Sequence, residues 1–255
     1  AFAAIDTAIV NTEKNLANAR DLFDSKLNAV FAEKEGKWLT ITFGGLVTNS
    51  RGGISIKSSE YGPEGVPVLT KGDVKPLGRI EHGEKYVDSA HVESKGWPLT
   101  RPGDLMITTR DLKPSAPFLG LVSPVPTDRN YLVNQGATFF SIDEGRVSSE
   151  YFVYWCCSDQ FRSYVRANKS GATQVHIRQA ELFNAPIWFP DVDEQKVIVD
   201  DLDVLLDQTE RLYQGYRHRI HLYGQLKFSI LKKAFTGELI ANEKAIDRSL
   251  FEADV

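Results

Sequence analysis

Apolar residues recur at alternating steps of three and four near the start of the chain. They are Phe2, Ile5, Ile9, Leu16, Phe23 and Val30, with Thr12, Ala19 and Lys26 in the remaining places. The rhythm returns at Ile198, Leu202, Leu205, Leu212, Tyr216, Tyr223, Leu226 and Ile230, with Thr209 and Arg219 in between. Steps averaging 3.5 residues over about four heptads are what two helices need to pair as a coiled coil. Neither segment contains proline. At 1.5 Å per residue the second helix would be about 60 Å long, so it needs a long partner, and the first helix is one. The pattern predicts helices over 1–36 and 191–240 that pair with each other, with 241–255 as a tail. The polar seam residues read either as loose packing whose long side chains reach solvent or as a device that fixes register at some cost in stability.

Residues 37–190 have a different rhythm. The prolines all lie from Pro63 to Pro190, and short apolar runs such as "GVPVLT", "DLMITT", "PFLGLVS" and "ATFFSI" alternate with turn residues. Such runs read as strands. One segment, "SEYFVYWCCSDQFRSYVRAN" (149–168), reads as a helix with Ser149 as N-cap and Phe152, Trp155, Cys156 and Tyr164 as its buried face. The expected fold class is α+β: one globular strand-rich domain flanked by two long helices that form a coiled coil.

The helix ends resemble each other. "LFDSKLNAVF" (22–31) and "LKFSILKKAF" (226–235) share Leu22/Leu226, Ser25/Ser229, Leu27/Leu231 and Phe31/Phe235 at one offset. With the matching heptads, this suggests an internal duplication whose unit is a middle domain plus a helix. Helix–middle–helix is then one and a half units, so a further domain is expected ahead of Ala1; removal of an initiator Met is the competing account of the start.

Composition narrows the classes. With 42% hydrophobic and 25% charged residues the chain reads as a soluble globular protein. Its net charge of −4 lacks the basic excess of many nucleic-acid binders. No apolar run reaches the roughly 20 residues a membrane span needs, so no membrane partner is expected. The only cysteines, Cys156 and Cys157, are adjacent and build no disulfide framework, which points to a reduced, cytoplasmic protein. His218 and His221 lack a third ligand at metal spacing and read as a solvated helix face. Phosphate-loop, dinucleotide-binding and nucleophile-elbow motifs do not occur.

The stretch "IWFPDVDEQKVIVDDLDVLL" (187–206) superficially offers the Pro-Asp and Glu-x-Lys pieces of a nuclease core. Such a core needs acidic groups on separate strand positions, whereas Asp191 and Glu194 are three apart where the long seam begins. That spacing fits a capping box, with the acids also favouring the positive end of the helix dipole. No catalytic residue, cofactor site or metal site is assigned.

Taken whole, "SGATQVHIRQAELFNAPIWFPDVDEQKVIVDDLDVLL" followed by "LKFSILKKAFTGEL" resembles the end of a target-recognition domain and the conserved helix of Type I restriction–modification specificity subunits. "GVPVLTKGDV" and "RPGDLMITTR" resemble earlier strands of that domain, and "NLANARDLFDSKLNAVFAEKEGKW" its central conserved helix. Such subunits usually hold two recognition domains, so this chain resembles a C-terminal half or a half-subunit. The resemblance implies a non-catalytic protein that reads one half of a split site in double-stranded DNA. Its helices form an antiparallel coiled coil that sets the distance to the other half, and they dock methyltransferase (modification) subunits, with the restriction/translocase subunit reached through the complex. S-adenosylmethionine, ATP and Mg²⁺ then belong to partner subunits, and a homodimer through the helices is expected.

Residues 38–190 hold 16 Lys+Arg against 15 Asp+Glu, so the middle is the relatively basic part and the helices carry the acidity. Arginine can grip guanine bidentately and lysine more often holds phosphate. Candidates in turn-rich sequence are Arg51, Lys57, Lys71, Lys75, Arg79, Arg110, Lys113, Arg166 and Lys169, with Gln174 closing the small polar turn "NKSGATQ". The alternative from another class is a coiled-coil interaction protein whose middle domain binds protein instead of DNA, which the low net charge favours.

Overall fold

In a computed structural model, described over residues 2–32, 37–81 and 83–236, the two long helices run Phe2–Ala32 and Val192–Phe235. The expected tail, 241–255, and the expected end of the first helix, 33–36, lie outside the described residues. The chain divides into two compact units: a helical one from residues 1–25 and 203–255, and a globular one spanning Lys26–Leu202. The globular unit thus takes in the adjoining ends of both helices.

Within the helical unit the helices are antiparallel. Asp6 accepts from Lys227 Nζ at 2.6 Å, and Tyr213 Oη accepts from Arg20, whose guanidinium carbon also lies 4.5 Å from the Tyr213 ring centre. Asp6 and Arg20 are 14 residues apart, as are Tyr213 and Lys227, so both contacts report one register.

The seam of the second helix is displaced from the expected one. Leu202, Thr209, Tyr216, Tyr223 and Ile230 are buried or half-buried as expected. The other column is Val199, Leu206, Tyr213, Ile220 and Lys227, each one residue beyond the expected Ile198, Leu205, Leu212, Arg219 and Leu226. Ile198 and Leu205 stay half-buried, while Leu212, Arg219 and Leu226 are exposed. The physical reason is a symmetry of the heptad: the shared column has an apolar neighbour on either side, and both choices step 3-4. The partner's Arg20 and Asp6 select the side with tyrosine and lysine.

In the first helix Ile5, Thr12, Ala19 and Phe23 are buried and Phe2, Ile9 and Leu16 half-buried. Beyond Phe23 the buried positions are Leu27 and Phe31; Lys26 is exposed and Val30 half-buried. Steps of four rotate the stripe round a helix of 3.6 residues per turn, which carries it onto the globular unit's aromatic cluster. Neither seam threonine acts as a register device. Thr12 donates to the Ala8 carbonyl (2.7 Å) and Thr209 to that of Leu205 (2.9 Å), so each hydroxyl bonds within its own helix.

The globular unit is built on a four-stranded antiparallel sheet in the spatial order Val122–Pro124, Leu105–Thr108, Ala137–Ile142, Val47–Gly52. A second four-stranded sheet contains the parallel pair Leu132–Val133 and Val66–Leu69. Of the expected strand runs, "PFLGLVS" is a strand only at its end; its front half is a loop. The expected helix over 149–168 is two helices, Ser149–Cys157 and Asp159–Ala167. Ser158 breaks it with extended backbone, its hydroxyl donating to the Trp155 carbonyl (2.7 Å) and accepting the Phe161 amide (3.5 Å). The first cap is Ser148, one residue before the expected Ser149.

Phe31 is fully buried edge-on against Tyr151 and Trp155, with ring centres 5.6 and 5.3 Å apart. Trp188 packs on Trp155 at 4.3 Å and donates its indole N–H to the Phe31 carbonyl (3.0 Å). Strand Pro186–Phe189, which carries Trp188, pairs with Leu39–Thr42.

At the start of the long helix Asp191 Oδ1 accepts the Glu194 amide at 2.9 Å, the forward bond of the expected capping box. Gln195 is buried and bonded three ways: its amide nitrogen donates to the Arg146 and Pro190 carbonyls, and its oxygen accepts the Ser148 amide. That ties the helix start to the loop ahead of Ser149. Asp191→Ala is expected to lower unfolding stability by about 0.5–2 kcal/mol, the usual worth of an N-cap, read as a shifted urea midpoint with unchanged slope.

Candidate nucleic-acid interface

Four of the expected cations, Lys71, Lys75, Arg110 and Lys113, line one cleft of about 280 Å³ in the globular unit. They come from two distant segments of the chain. Lys71 sits on a tight turn, "TKGD", closed by Asp73, whose carboxylate accepts the Thr70 amide (2.6 Å) and hydroxyl (2.9 Å). Arg110 begins the short strand Arg110–Asp111, which pairs with Val175–His176. Gly136 brings Lys71 and Arg110 side by side. A Cβ there would lie 3.3 Å from Lys71 Cδ and 3.5 Å from Arg110 Cβ, and its φ of +94° also favours glycine.

Arg79 adds to this face, because it stands directly across from Lys75 on a two-stranded ribbon. Like charges placed opposite one another oppose pairing. Lys75 Nζ is steadied by the Gly72 carbonyl (2.8 Å) and by Glu81 at 3.5 Å, a carboxylate that is itself well exposed. Surface pairs of that kind contribute little, so the positive character of the ribbon persists.

Leu112 and Phe118 form apolar parts of the cleft wall. Both belong to the loop between strands Arg110–Asp111 and Val122–Pro124, and that loop is heavily anchored from beneath. The buried Asp111 carboxylate accepts the Lys113 amide (3.0 Å) and the Phe118 amide (2.7 Å). Thr108 Oγ1 donates to the Phe118 carbonyl and accepts the Leu121 amide (3.0 Å). Arg162, buried on the helix below, donates to the Leu119 carbonyl and to that of Pro117 (2.8 Å). Burial pulls the Arg162 guanidinium below its ordinary range, yet arginine keeps its charge at any physiological pH. A buried cation is costly unless its donors are bonded, and here two loop carbonyls take them.

The other expected residues are not in this cleft. Arg51 is exposed on strand Val47–Gly52, and Arg166 is exposed on helix Asp159–Ala167, donating to Ser163 Oγ (3.0 Å). Lys57 precedes a short 3-10 turn, where its amide donates to Glu60 (2.6 Å) and so holds that carboxyl below its usual range. Lys169 and Gln174 lie in the turn leading into Val175–His176. His176, directly across from Arg110 and exposed, was missed, as were Leu112, Phe118 and Arg162. The signal for Arg162 was available: it stands with Ser158 and Val165 at helical spacing on a buried face.

The nuclease-like reading of Asp191 and Glu194 has a physical answer: Asp191 is engaged at the helix start. Among the described residues no group of three or more His, Cys, Asp or Glu is placed to hold a metal ion. His221 instead lies 2.9 Å from the Gln225 amide on the exposed side of the long helix. No helix among the described residues is long and apolar enough to cross a membrane.

The chain thus carries both a strand-rich domain with cations gathered round one cleft and an antiparallel pair of long helices. The chain belongs to the Type I restriction modification DNA specificity domain family, which it matches over residues 35–220. It is 22% identical over 240 residues to the EcoBI specificity subunit of Escherichia coli, covering 93% of this chain and 47% of that protein. It is 24% identical over 212 residues to the StySPI specificity subunit of Salmonella potsdam, covering 82% and 44%. Among solved structures, a chain from work on assembly and conformational transition of a type I R-M system superposes with a TM-score of 0.73 at 21% identity, covering 92% of this chain and 56% of that one. The HsdS subunit of Thermoanaerobacter tengcongensis gives 0.61 at 20% identity, covering 92% and 57%. These structural likenesses carry the fold. The chain spans about half the length of the curated relatives it matches. Specificity subunits are the non-catalytic members of their systems.

Proposed function

We propose that this chain reads one half of a split DNA site with the cleft face of its globular unit, acting where DNA lies, in the cytoplasm. The observation that supports this most is the convergence of Lys71, Lys75, Arg110 and Lys113 on one cleft. A net charge near zero over the domain is no obstacle, because phosphate affinity depends on cations gathered on one face. Its acidic neighbours are occupied within the fold: Asp73 closes a turn and Asp111 holds the loop. Lysines there hold phosphate and set the register, and Arg110 is the side chain best shaped to grip a guanine edge.

Binding of a DNA duplex measured by fluorescence anisotropy at several salt concentrations tests this. The slope of log affinity against log salt is about −0.9 per phosphate neutralised on B-DNA. The triple change Lys71→Gln, Arg110→Gln and Lys113→Gln is expected to flatten that slope by about two to three. An unchanged slope moves the interface off this cleft, and an affinity indifferent to salt supports a protein-binding domain instead.

The helices take the protein partners. Leu212, Leu222, Leu226 and Phe228 are exposed apolar side chains on the long helix, and every charged residue from Arg211 to Lys233 is basic. We assign such side chains to methyltransferase subunits, with S-adenosylmethionine, ATP and Mg²⁺ held by partners and the restriction subunit recruited through the complex. Leu231 and Phe235 have a different assignment. They are the duplication counterparts of Leu27 and Phe31, which are buried on a recognition domain, and they are themselves exposed. Their partner is a second recognition domain, that of another copy when the chain pairs with itself.

A further inference from the structure

We propose that the loop from Leu112 to Phe118 is a preformed reader of thymine, with Leu112 and Phe118 packing against the 5-methyl group; this rests on the DNA-reading role above. Leu112 is 62% exposed and Phe118 46% exposed, whereas Leu119 and Leu121, which follow directly, are buried. An exposed leucine and phenylalanine inside a ring of cations are costly in water and gain nothing from phosphate. They gain if the surface they meet is both anionic and locally apolar. In the major groove the only apolar group at a base edge is the thymine methyl.

The loop is built to hold that pose before DNA arrives. Asp111, Thr108 and Arg162 fix its backbone at the amides of Lys113 and Phe118 and at the carbonyls of Pro117, Phe118 and Leu119. Ala116 is buried in the left-handed region, with φ of +52°, and its amide closes a turn on the Lys113 carbonyl at 2.9 Å. Pro114 and Pro117 stiffen the rest. Ordering is therefore met during folding and does not weaken binding. The two side chains line a concave cleft. A concave wall receives a group from DNA, whereas an apolar wedge that unstacks base steps must protrude.

Deoxyuridine scanning tests this on the full chain. Binding selection first defines the duplex, and each thymine is then replaced singly by deoxyuridine, which removes the methyl and nothing else. At one or two positions binding is expected to weaken about fourfold, the worth of one buried methyl. The Leu112→Ala/Phe118→Ala variant, altered only at exposed side chains, is expected to bind thymine and uracil duplexes equally with the wild-type salt slope. DNA binding that is steeply salt-dependent but indifferent to every uracil overturns the thymine reading and leaves the DNA-reading role standing. So does a double variant that discriminates as well as wild type. Tighter binding when a mismatch is placed at the sensitive position also overturns it, in favour of an unstacked base in the cleft. Failure of selection at low salt, with no duplex bound, overturns both readings together.

Discussion

Phe31→Ala is expected to destabilise the chain by about 3–5 kcal/mol, the usual cost of emptying a buried phenylalanine site. The side chain is fully buried between Tyr151 and Trp155, and its own carbonyl receives the Trp188 indole. The site cannot collapse readily, because Trp188 is held there by that bond and by a strand pairing to Leu39–Thr42. The same change at Phe235, which is 89% exposed, is expected to stay within about 0.5 kcal/mol for the isolated chain. The two sites differ in what covers them, although the flanking sequence is shared. If Phe235 seats on a second recognition domain, Phe235→Ala with Leu231→Ala weakens self-association instead of folding. Light scattering at tens of micromolar gives the readout. A wild-type chain that stays monomeric there counts against pairing through this surface, and equal denaturation midpoints for Phe31→Ala and wild type remove the aromatic cluster as the anchor.

The helices illustrate how far sequence periodicity reaches. The existence, length and pairing of both helices follow from seven-residue spacing, because the spacing reflects geometry that any helix shares; their antiparallel sense shows in the Asp6–Lys227 and Arg20–Tyr213 contacts. Which side of the shared column faces the partner does not follow. Leu205, Leu212 and Leu226 are better hydrophobes than Tyr213 and Lys227, yet Tyr213 and Lys227 are chosen through Arg20 and Asp6 across the pair. Strength of apolarity at a position is a local quantity, and the choice is made by contacts almost the whole chain length away. Leu212 and Leu226 are left exposed by that choice.

The proposed recognition face was legible as a set of residue types and illegible as a place. Nine basic residues in turn-rich sequence offered no way to rank one above another. Four converge where Gly136 leaves room between Lys71 and Arg110, and a short ribbon sets Arg79 opposite Lys75 beside them. Both features are tertiary. The break at Ser158 is different: a serine at the end of one helical turn pattern, followed by Asp159, was a readable cap signal within the expected helix. Local propensity for continuing the helix concealed it. Gln195 was visible only as part of a family pattern; its three bonds explain why glutamine is needed at the entry to the long helix.

Removing one heptad from each helix is expected to shorten the unread spacer of the DNA site by about three base pairs. The register pairs say where to cut. Residues 10–16 and 217–223 lie opposite one another between the Asp6–Lys227 and Arg20–Tyr213 contacts, so deleting both leaves each contact in place. The 3-4 seam is restored after seven residues. The pair shortens by about 10.5 Å at 1.5 Å per residue, and B-DNA rises about 3.4 Å per base pair. If the paired helices set the separation of two reading domains, the preferred spacer follows that length. Three base pairs also rotate one half-site against the other by about 100° on a 10.5-base-pair turn, so affinity should fall along with the spacer change. The half-site sequences should stay as they were, since the cleft and its loop are untouched. Selection from duplexes with randomised spacers reads both quantities at once. An unchanged spacer makes the helices a docking platform only, and altered half-sites make them part of the reading surface.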